Sequence, residues 1–321
     1  MAFNVENLFD TEHDQGKLDY TFLPLEEKRK SKEANKYCDT LGSPKWKEEC
    51  LYLDWTPSTL HQKMKNIADA VLQVNDGKGP DILVLAEVEN MNVLNEWVQK
   101  YLGKADYKTI NLKEGMDERG IDVAIVSRLE PMGEPILYPI AFGKITSKER
   151  MDTRGILEAT FQLPDSGKLT IYANHFPAPY HKKEYRIMAY RHLSELMKRK
   201  KSNAMQIAAG DFNTPGTEDR KNQILKTYVE PDWIIAHQVG YKGSQGSTYY
   251  GKDKTWSFLD MILLSKNLSD GNDWDWNPES FKIADQFRGQ LNDAKTPQSF
   301  DPRTGLGVSD HLPLFIEIQK H

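Results

Sequence analysis

Eight side chains carry the potential chemistry of this 321-residue chain: Asn4, Glu6, Glu87, Asp211, Asn213, Asp260, Asp310 and His311. All but Asp260 and His311 offer hard oxygen ligands, provided the strands that bear them lie side by side. Such a set suits Mg²⁺, with Mn²⁺ or Ca²⁺ as alternatives, and grouped His and Cys are too few for a zinc cage. Mg²⁺ takes one or two carboxylates and keeps water for a substrate phosphate. The surplus acids and amides are then free to position water or phosphoryl oxygens. Asp260 stands apart. It sits inside Phe258-Leu259-Asp260-Met261-Ile262-Leu263-Leu264, where a buried charge must be paired. A histidine is the natural partner, which predicts an oriented imidazole. Each piece alone also reads as plain structure. Gly210-Asp211-Phe212-Asn213-Thr214-Pro215 is rich in turn formers, and Ser309-Asp310-His311 suits a loop with local hydrogen bonds.

Strands must position these groups. Short apolar, β-branched runs bounded by turn formers read as buried strands at 81–86, 121–126, 168–173, 205–209, 256–264 and 312–318. The run 156–163 leads through Pro164-Asp165-Ser166-Gly167 into 168–174, which reads as a hairpin. Helical spacing predicts helices over 58–75, with Ser58 as N-cap, and over 91–102, 182–201 and 218–229. Interleaved strands and helices exclude the all-α and all-β classes, and the hairpin makes the sheets mixed. Residues 11–57 and 268–305 are long and polar and read as loop insertions around the site end of the strands.

Composition narrows the classes less. The chain is 39% apolar and 28% charged, an ordinary globular balance. Its length suits one large domain or two medium ones. Net charge is −5, and the run Lys198-Arg199-Lys200-Lys201 falls at the end of a predicted helix, where cations suit the dipole. Charge therefore gives no positive case for duplex DNA. Cys38 and Cys50 lie in one polar segment, and a disulfide and two free thiols are both open. No run of 18 apolar residues predicts a transmembrane helix. No signal peptide is visible, yet Met1-Ala2-Phe3 runs straight into a strand motif. That abrupt start points to a missing upstream segment such as a removed export signal, and so to a periplasmic or secreted protein. A monomer is expected.

The order of the motifs adds a resemblance. Phe3-Asn4-Val5-Glu6-Asn7-Leu8-Phe9-Asp10 opens the series and Leu85-Ala86-Glu87-Val88-Glu89-Asn90 follows. Arg119-Gly120-Ile121-Asp122-Val123-Ala124, Ala173-Asn174-His175-Phe176 and Gly210-Asp211-Phe212-Asn213 come next. Phe258-Leu259-Asp260-Met261-Ile262 and Ser309-Asp310-His311-Leu312-Pro313 close it. In this order, over nearly the whole chain, the set resembles the endonuclease/exonuclease/phosphatase superfamily of metal-dependent phosphoesterases. The resemblance implies a single α/β domain over 1–321: a four-layer α/β/β/α sandwich, two mixed β-sheets flanked by helices. It implies metal binding by Asn4, Glu6, Glu87 and Asp310, and catalysis by His175, Asp211, Asn213, Asp260 and His311. Arg119, Asp122, Arg154 and Asn174 fall where substrate phosphate is contacted or the site is braced, although a surface ion pair is an equal reading of Arg154.

A phosphoester hydrolase, nuclease-like and taking a phosphate-ester substrate such as nucleic acid, is the leading expectation. A phosphatase of inositol phosphates or lipid head groups is the alternative within the class. The inositol branch has richer motifs than 174–177 and 210–214 provide, and no apolar hairpin for a membrane stands out. The Asn-His-Phe-Pro form and the Asn-Val-Glu-Asn-Leu-Phe-Asp opening look more like bacterial members. A non-catalytic binding module on the same fold is the reading from another class, and the intact motif positions speak against it. Aromatics between Tyr228 and Trp276 read first as core and rim packing, with base stacking as a second use. His13, His61, His181, His192, His237 and His321 lack motif context, although His181, near a helix start, is placed to edge a cleft.

Overall fold

A computed structural model describes residues 1–150 and 152–321. Its strands follow in chain order. First come β1 (Ala2–Leu8), β2 (Ile82–Val88), β3 (Thr109–Leu112), β4 (Asp122–Ser127) and β5 (Ile136–Tyr138). Then come β6 (Ile156–Gln162), β7 (Lys168–His175), β8 (Met205–Asp211), β9 (Trp233–Ile235) and the short pair β10 (Thr248–Tyr250) and β11 (Thr255–Ser257). The chain ends with β12 (Asp260–Ser265), β13 (Trp274–Trp276), β14 (Lys282–Ile283), β15 (Leu314–Phe315) and β16 (Ile318–Lys320). Among the described residues, two six-stranded sheets form, in the orders β14-β15-β1-β2-β4-β3 and β5-β6-β7-β8-β12-β9. Each holds one parallel pair at its centre, β1 with β2 and β7 with β8, and pairs the rest antiparallel.

Strand alternation builds the layers. Ala2, Val84, Ala86, Val123 and Ile125 of the first sheet meet Leu169, Ile171, Ala173, Ile207, Ala209, Ile262 and Leu264 of the second in a shared core. Their neighbours point outward. Phe3, Val5, Leu83 and Leu85 pack on helices Pro57–Leu72 and Met91–Tyr101. Tyr172, Ala208, Met261 and Leu263 pack on helix Lys183–Lys198 and its short neighbours. The result is the expected helix–sheet–sheet–helix sandwich. Helix Pro57–Leu72 starts where Thr56 accepts from the Thr59 amide with Pro57 next, and Asn90 caps Met91–Tyr101 through the Val93 amide.

Several expectations change. Residues 11–57 are not plain loop: helices Leu25–Lys30, Lys32–Thr40 and Pro44–Tyr52 form there, and Cys38 is disulfide-bonded to Cys50. Ser31 and Ser43 cap the second and third of them, signals hidden in a polar stretch. The helix predicted over 218–229 is broken into Gly216–Asn222 and Ile224–Tyr228 at Gln223, whose φ is 51°. The run at 312–318 divides, β15 joining the first sheet and β16 pairing with β13. Of the aromatics between 228 and 276, Trp233 and Trp276 are buried while Tyr250 is exposed. Among the described residues, no helix is long and apolar enough to cross a membrane.

Candidate active site

The alternation that fills the shared core also delivers its polar end. Along β1 the inward face runs Ala2, Asn4; along β7 it runs Ala173, His175; along β8, Ala209, Asp211; and along β12, Ile262, Asp260. At the carboxyl ends of the parallel pairs the apolar face gives way to these four side chains. All four are buried. Gly210 permits this convergence. Its φ is +128°, and a Cβ there would stand 2.1 Å from the Asn174 carbonyl oxygen.

Two carboxylates reach the site by breaking the alternation. Glu87 has φ 66° within a register shift of β2, and Glu6 and Asn7 have φ 53° and 59° within a matching shift of β1. Strict alternation would send Glu87 to the helix side with Leu83 and Leu85. The bulge returns Val88 to that side and frees Glu87 to turn inward.

Hydrogen bonds lock the assembly across both sheets. Asn4 Nδ2 donates to Glu87 Oε1 and to Asp211 Oδ2, both at 3.1 Å, while its Oδ1 accepts from the Glu6 amide at 3.0 Å. The Asn7 amide donates to Glu87 Oε2 at 3.0 Å, and the Asp310 amide to Glu6 Oε2 at 3.1 Å. Ser309 Oγ donates to the Asn4 carbonyl and accepts from the His311 amide, tying the last motif to the first. Asp211 Oδ1 accepts from the Asn213 amide at 2.8 Å, and Asn213 Nδ2 donates to the Phe176 carbonyl at 3.1 Å.

The imidazoles differ in charge because their surroundings differ. His311 Nδ1 lies 2.7 Å from Asp260 Oδ2. Burial works against its charge, but Asp260 and Asp310 outweigh that and hold the imidazole well above its ordinary value. Its Nε2 faces Asp211 Oδ2 and Asp310 Oδ1, each at 3.9 Å. His175 Nε2 lies 3.7 Å from Asp211 Oδ2 and 3.8 Å from Glu87 Oε1. Burial, reinforced by Arg154 and Arg119, pushes it well below its ordinary value, so it is neutral at pH 7. Asp211 is pushed up to about 7, by burial first, with His311 opposing and Asp260 adding.

Glu6, Glu87 and Asp310 form the acidic side. Burial, then Asp310, raises Glu6 to about 7, and Glu87 adds to this against the pull of Lys63. A divalent cation relieves that repulsion, so the donor set fits one. Among the described residues, no group of three His, Cys, Asp or Glu is placed to hold a metal ion. Asn4 is a strut between Glu87 and Asp211, and its Oδ1, with one of its two acceptor positions used, is available as a ligand.

The phosphate residues divide. Arg154 is buried, with Nη2 3.1 Å from Asp117 Oδ2, and Arg119 Nε lies 3.7 Å from Asp117 Oδ1. Arg154 Nε and His175 Nδ1 are buried without a hydrogen-bond partner among the described residues. Asn174 and Asp122 are not brought into the site. Asn174 alternates to the far face of β7 and donates to the Tyr172 and Ala209 carbonyls. Asp122 is buried and accepts from the Gly115 amide at 2.8 Å, bracing the loop that carries Asp117 and Arg119. Lys63 and Asp117 escaped the sequence reading. Lys63 left a signal, a lysine on the apolar stripe of Leu60, Met64 and Ile67. It is buried, donates to the Val308 carbonyl at 3.4 Å and acts on Glu6, Asp310 and Glu87. Asp117, in a polar loop, left none.

Two mixed sheets packed face to face between helices, with acids, amides and imidazoles where their central strands end, define the DNase I-like class of fold. The chain belongs to the endonuclease/exonuclease/phosphatase family, whose model matches residues 1–320. Membership places it among phosphoester hydrolases, which typically use divalent metal ions. Its structure is similar to D. rerio TDP2 complexed with single strand DNA product, at TM-score 0.57 and 16% identity over 81% of this chain and 93% of that one. It is similar to an endonuclease/exonuclease/phosphatase family protein from Leptotrichia buccalis at TM-score 0.57 and 17% identity, over 82% and 95%. The endonuclease/exonuclease/phosphatase from Beutenbergia cavernae gives TM-score 0.56 and 14% identity over 80% of this chain, which spans 66% of that protein. A sequence search of curated proteins finds no match.

Proposed function

We propose that the chain is a divalent-metal-dependent phosphodiesterase that acts, nuclease-like, on nucleic acid. The observation that carries this reading is the hydrogen-bonded cluster at the polar end of the shared core, where Asn4 joins Glu87 to Asp211 and His311 Nδ1 lies 2.7 Å from Asp260 Oδ2. One or two of Glu6, Glu87 and Asp310, together with water, would hold the ion, most simply Mg²⁺, with Mn²⁺ or Ca²⁺ as alternatives. When bound, the ion neutralises charge on the phosphoryl oxygens and so favours attack at phosphorus.

The protein's own groups supply the rest. Asp211 accepts a proton from water as its oxygen bonds to phosphorus, and Asn213 holds Asp211 in place through its amide. His311, kept cationic by Asp260, donates from Nε2 to a non-bridging oxygen that gains charge in the transition state. Arg154 and Arg119, set by Asp117, oppose the same charge. His175 is neutral, so its N–H donates a hydrogen bond to the phosphate, and the alkoxide that leaves as the P–O bond breaks takes its proton from solvent water. Asn4 ties Glu87 to Asp211, and so fixes the acidic side relative to the base.

A substrate panel tests this: bis-p-nitrophenyl phosphate, single-stranded and plasmid DNA, RNA, inositol phosphates and sphingomyelin, each with Mg²⁺, Mn²⁺ and Ca²⁺. Nucleic acid and bis-p-nitrophenyl phosphate should be cleaved only with metal. Asp211→Ala and His311→Ala should each lower kcat by about 10²–10³-fold at unchanged fold. Full activity in both variants overturns the mechanism. Hydrolysis of sphingomyelin or inositol phosphates alone replaces the substrate class.

A further inference from the structure

One exposed ring at the edge of the site takes no part in the hydrolysis. Tyr180 is 71% exposed and lies in the turn between β7, which ends at His175, and helix Lys183–Lys198. Its hydroxyl donates to Asp152 Oδ2 at 3.1 Å, and Nε2 of the adjacent His181 lies 2.9 Å from the same oxygen. The two rings lie together, centroids 4.3 Å apart and tilted by 41°. The turn is fixed from below by Arg186, a fully buried side chain. Its Nη1 donates to the carbonyls of Pro177, Ala178 and His181, and its Nε and Nη2 grip the Glu218 carboxylate. A surface tyrosine held this way loses little freedom when something docks on it. Asp152, which anchors the Tyr180 hydroxyl, stands two residues before Arg154, and Tyr180 itself follows His175 by five residues, so the ring lies on the rim beside the residues placed for phosphate.

We propose that Tyr180, backed by His181, is a stacking platform for a nucleobase next to the scissile phosphate, which makes unpaired nucleic acid the substrate class. The inference rests on the phosphodiesterase reading above. A base within a duplex already has both faces stacked, whereas an unpaired base offers one to an aromatic ring.

The test compares a single-stranded thymidine hexanucleotide with its abasic counterpart, using bis-p-nitrophenyl phosphate as a check on the chemistry. Tyr180→Ala should raise KM for the thymidine oligomer about tenfold, leave kcat nearly unchanged and leave the abasic oligomer unaffected. Tyr180→Phe, which keeps the ring and loses only the bond to Asp152, should stay close to wild type. Fluorescence anisotropy without metal should show the same selective loss of binding. An equal KM change for both oligomers, or none for either, overturns the platform. So does a wild type that hydrolyses bis-p-nitrophenyl phosphate but neither oligomer, and that result leaves the phosphodiesterase standing. Inactivity on all three removes both readings together.

Discussion

His311 and His175 show how one cavity holds two imidazoles in opposite states. Both are buried, so burial disfavours charge on each. The difference lies in their neighbours: Asp260 bonds Nδ1 of His311 directly, while His175 faces the fields of Arg154 and Arg119. His311 is the cation and His175 the neutral ring. Because the folded value of His311 is raised, its charge is present at low pH and lost as pH climbs through that value. If it donates in the transition state, kcat/KM falls on the alkaline side. Asp260→Asn keeps the shape and removes the charge that raises His311. The alkaline limb of the pH–kcat/KM profile should then move to lower pH, with kcat down by roughly 10²-fold at its optimum. A limb that stays in place would mean that Asp260 serves the fold and not the charge of His311.

At the scale of elements, the segment 17–55, which carries the disulfide-bonded helices between Leu25 and Tyr52, supports the site from outside it. Phe22 stacks on Phe9 at the end of β1 with centroids 4.2 Å apart, and Trp55 Nε1 donates to the Phe9 carbonyl at 3.1 Å. The Leu18 amide donates to the Glu118 carbonyl, and Lys17 Nζ to that of Asp117. The segment thus steadies both the Glu6 bulge and the Arg119 loop. Its short helices bury few side chains, so much of their order rests on the Cys38–Cys50 link. Closing a loop of 12 residues stabilises it by about 3 kcal/mol. Cys38→Ser with Cys50→Ser should lower hydrogen-exchange protection across 25–52 and spare the central strands. Equal protection in both proteins would show that packing alone holds the segment. The link also motivates a proposal that the protein works in an oxidising compartment.

These elements were unequally legible in the sequence. Asn4, His175, Asp211 and Asp260 extend an apolar alternation by one step, so pattern and motif point the same way. Glu87 and Glu6 depend on left-handed backbone at non-glycine residues, which no periodicity encodes. The helices of 25–52 lack an apolar stripe long enough to see, and Asn174 shows that a motif residue beside a catalytic one can face the opposite way.

The whole molecule's stability carries its own pH signature, and His237 reports it away from the site. His237 stacks on Phe258 with centroids 4.2 Å apart at 14°, and its Nδ1 is buried without a hydrogen-bond partner. Burial alone pushes the imidazole down to about 4. In the unfolded chain the value is about 6.5. The folded state therefore holds a neutral ring that the unfolded state would protonate. Its contribution is complete above pH 6.5, is lost as pH falls toward 4, and changes little below that. Between pH 7.5 and pH 5 the loss is at most about 2 kcal/mol. His175 acts in the same direction, while the raised carboxyls of Glu6 and Asp211 act in the other, so the net slope of wild type does not isolate His237. The difference between variants does. His237→Phe keeps a flat ring against Phe258 and cannot take up a proton. Guanidinium unfolding at both pH values should show the variant losing less stability than wild type, by up to about 2 kcal/mol. Identical losses would mean that water reaches Nδ1 and that the ring is not buried in the sense its stacking implies.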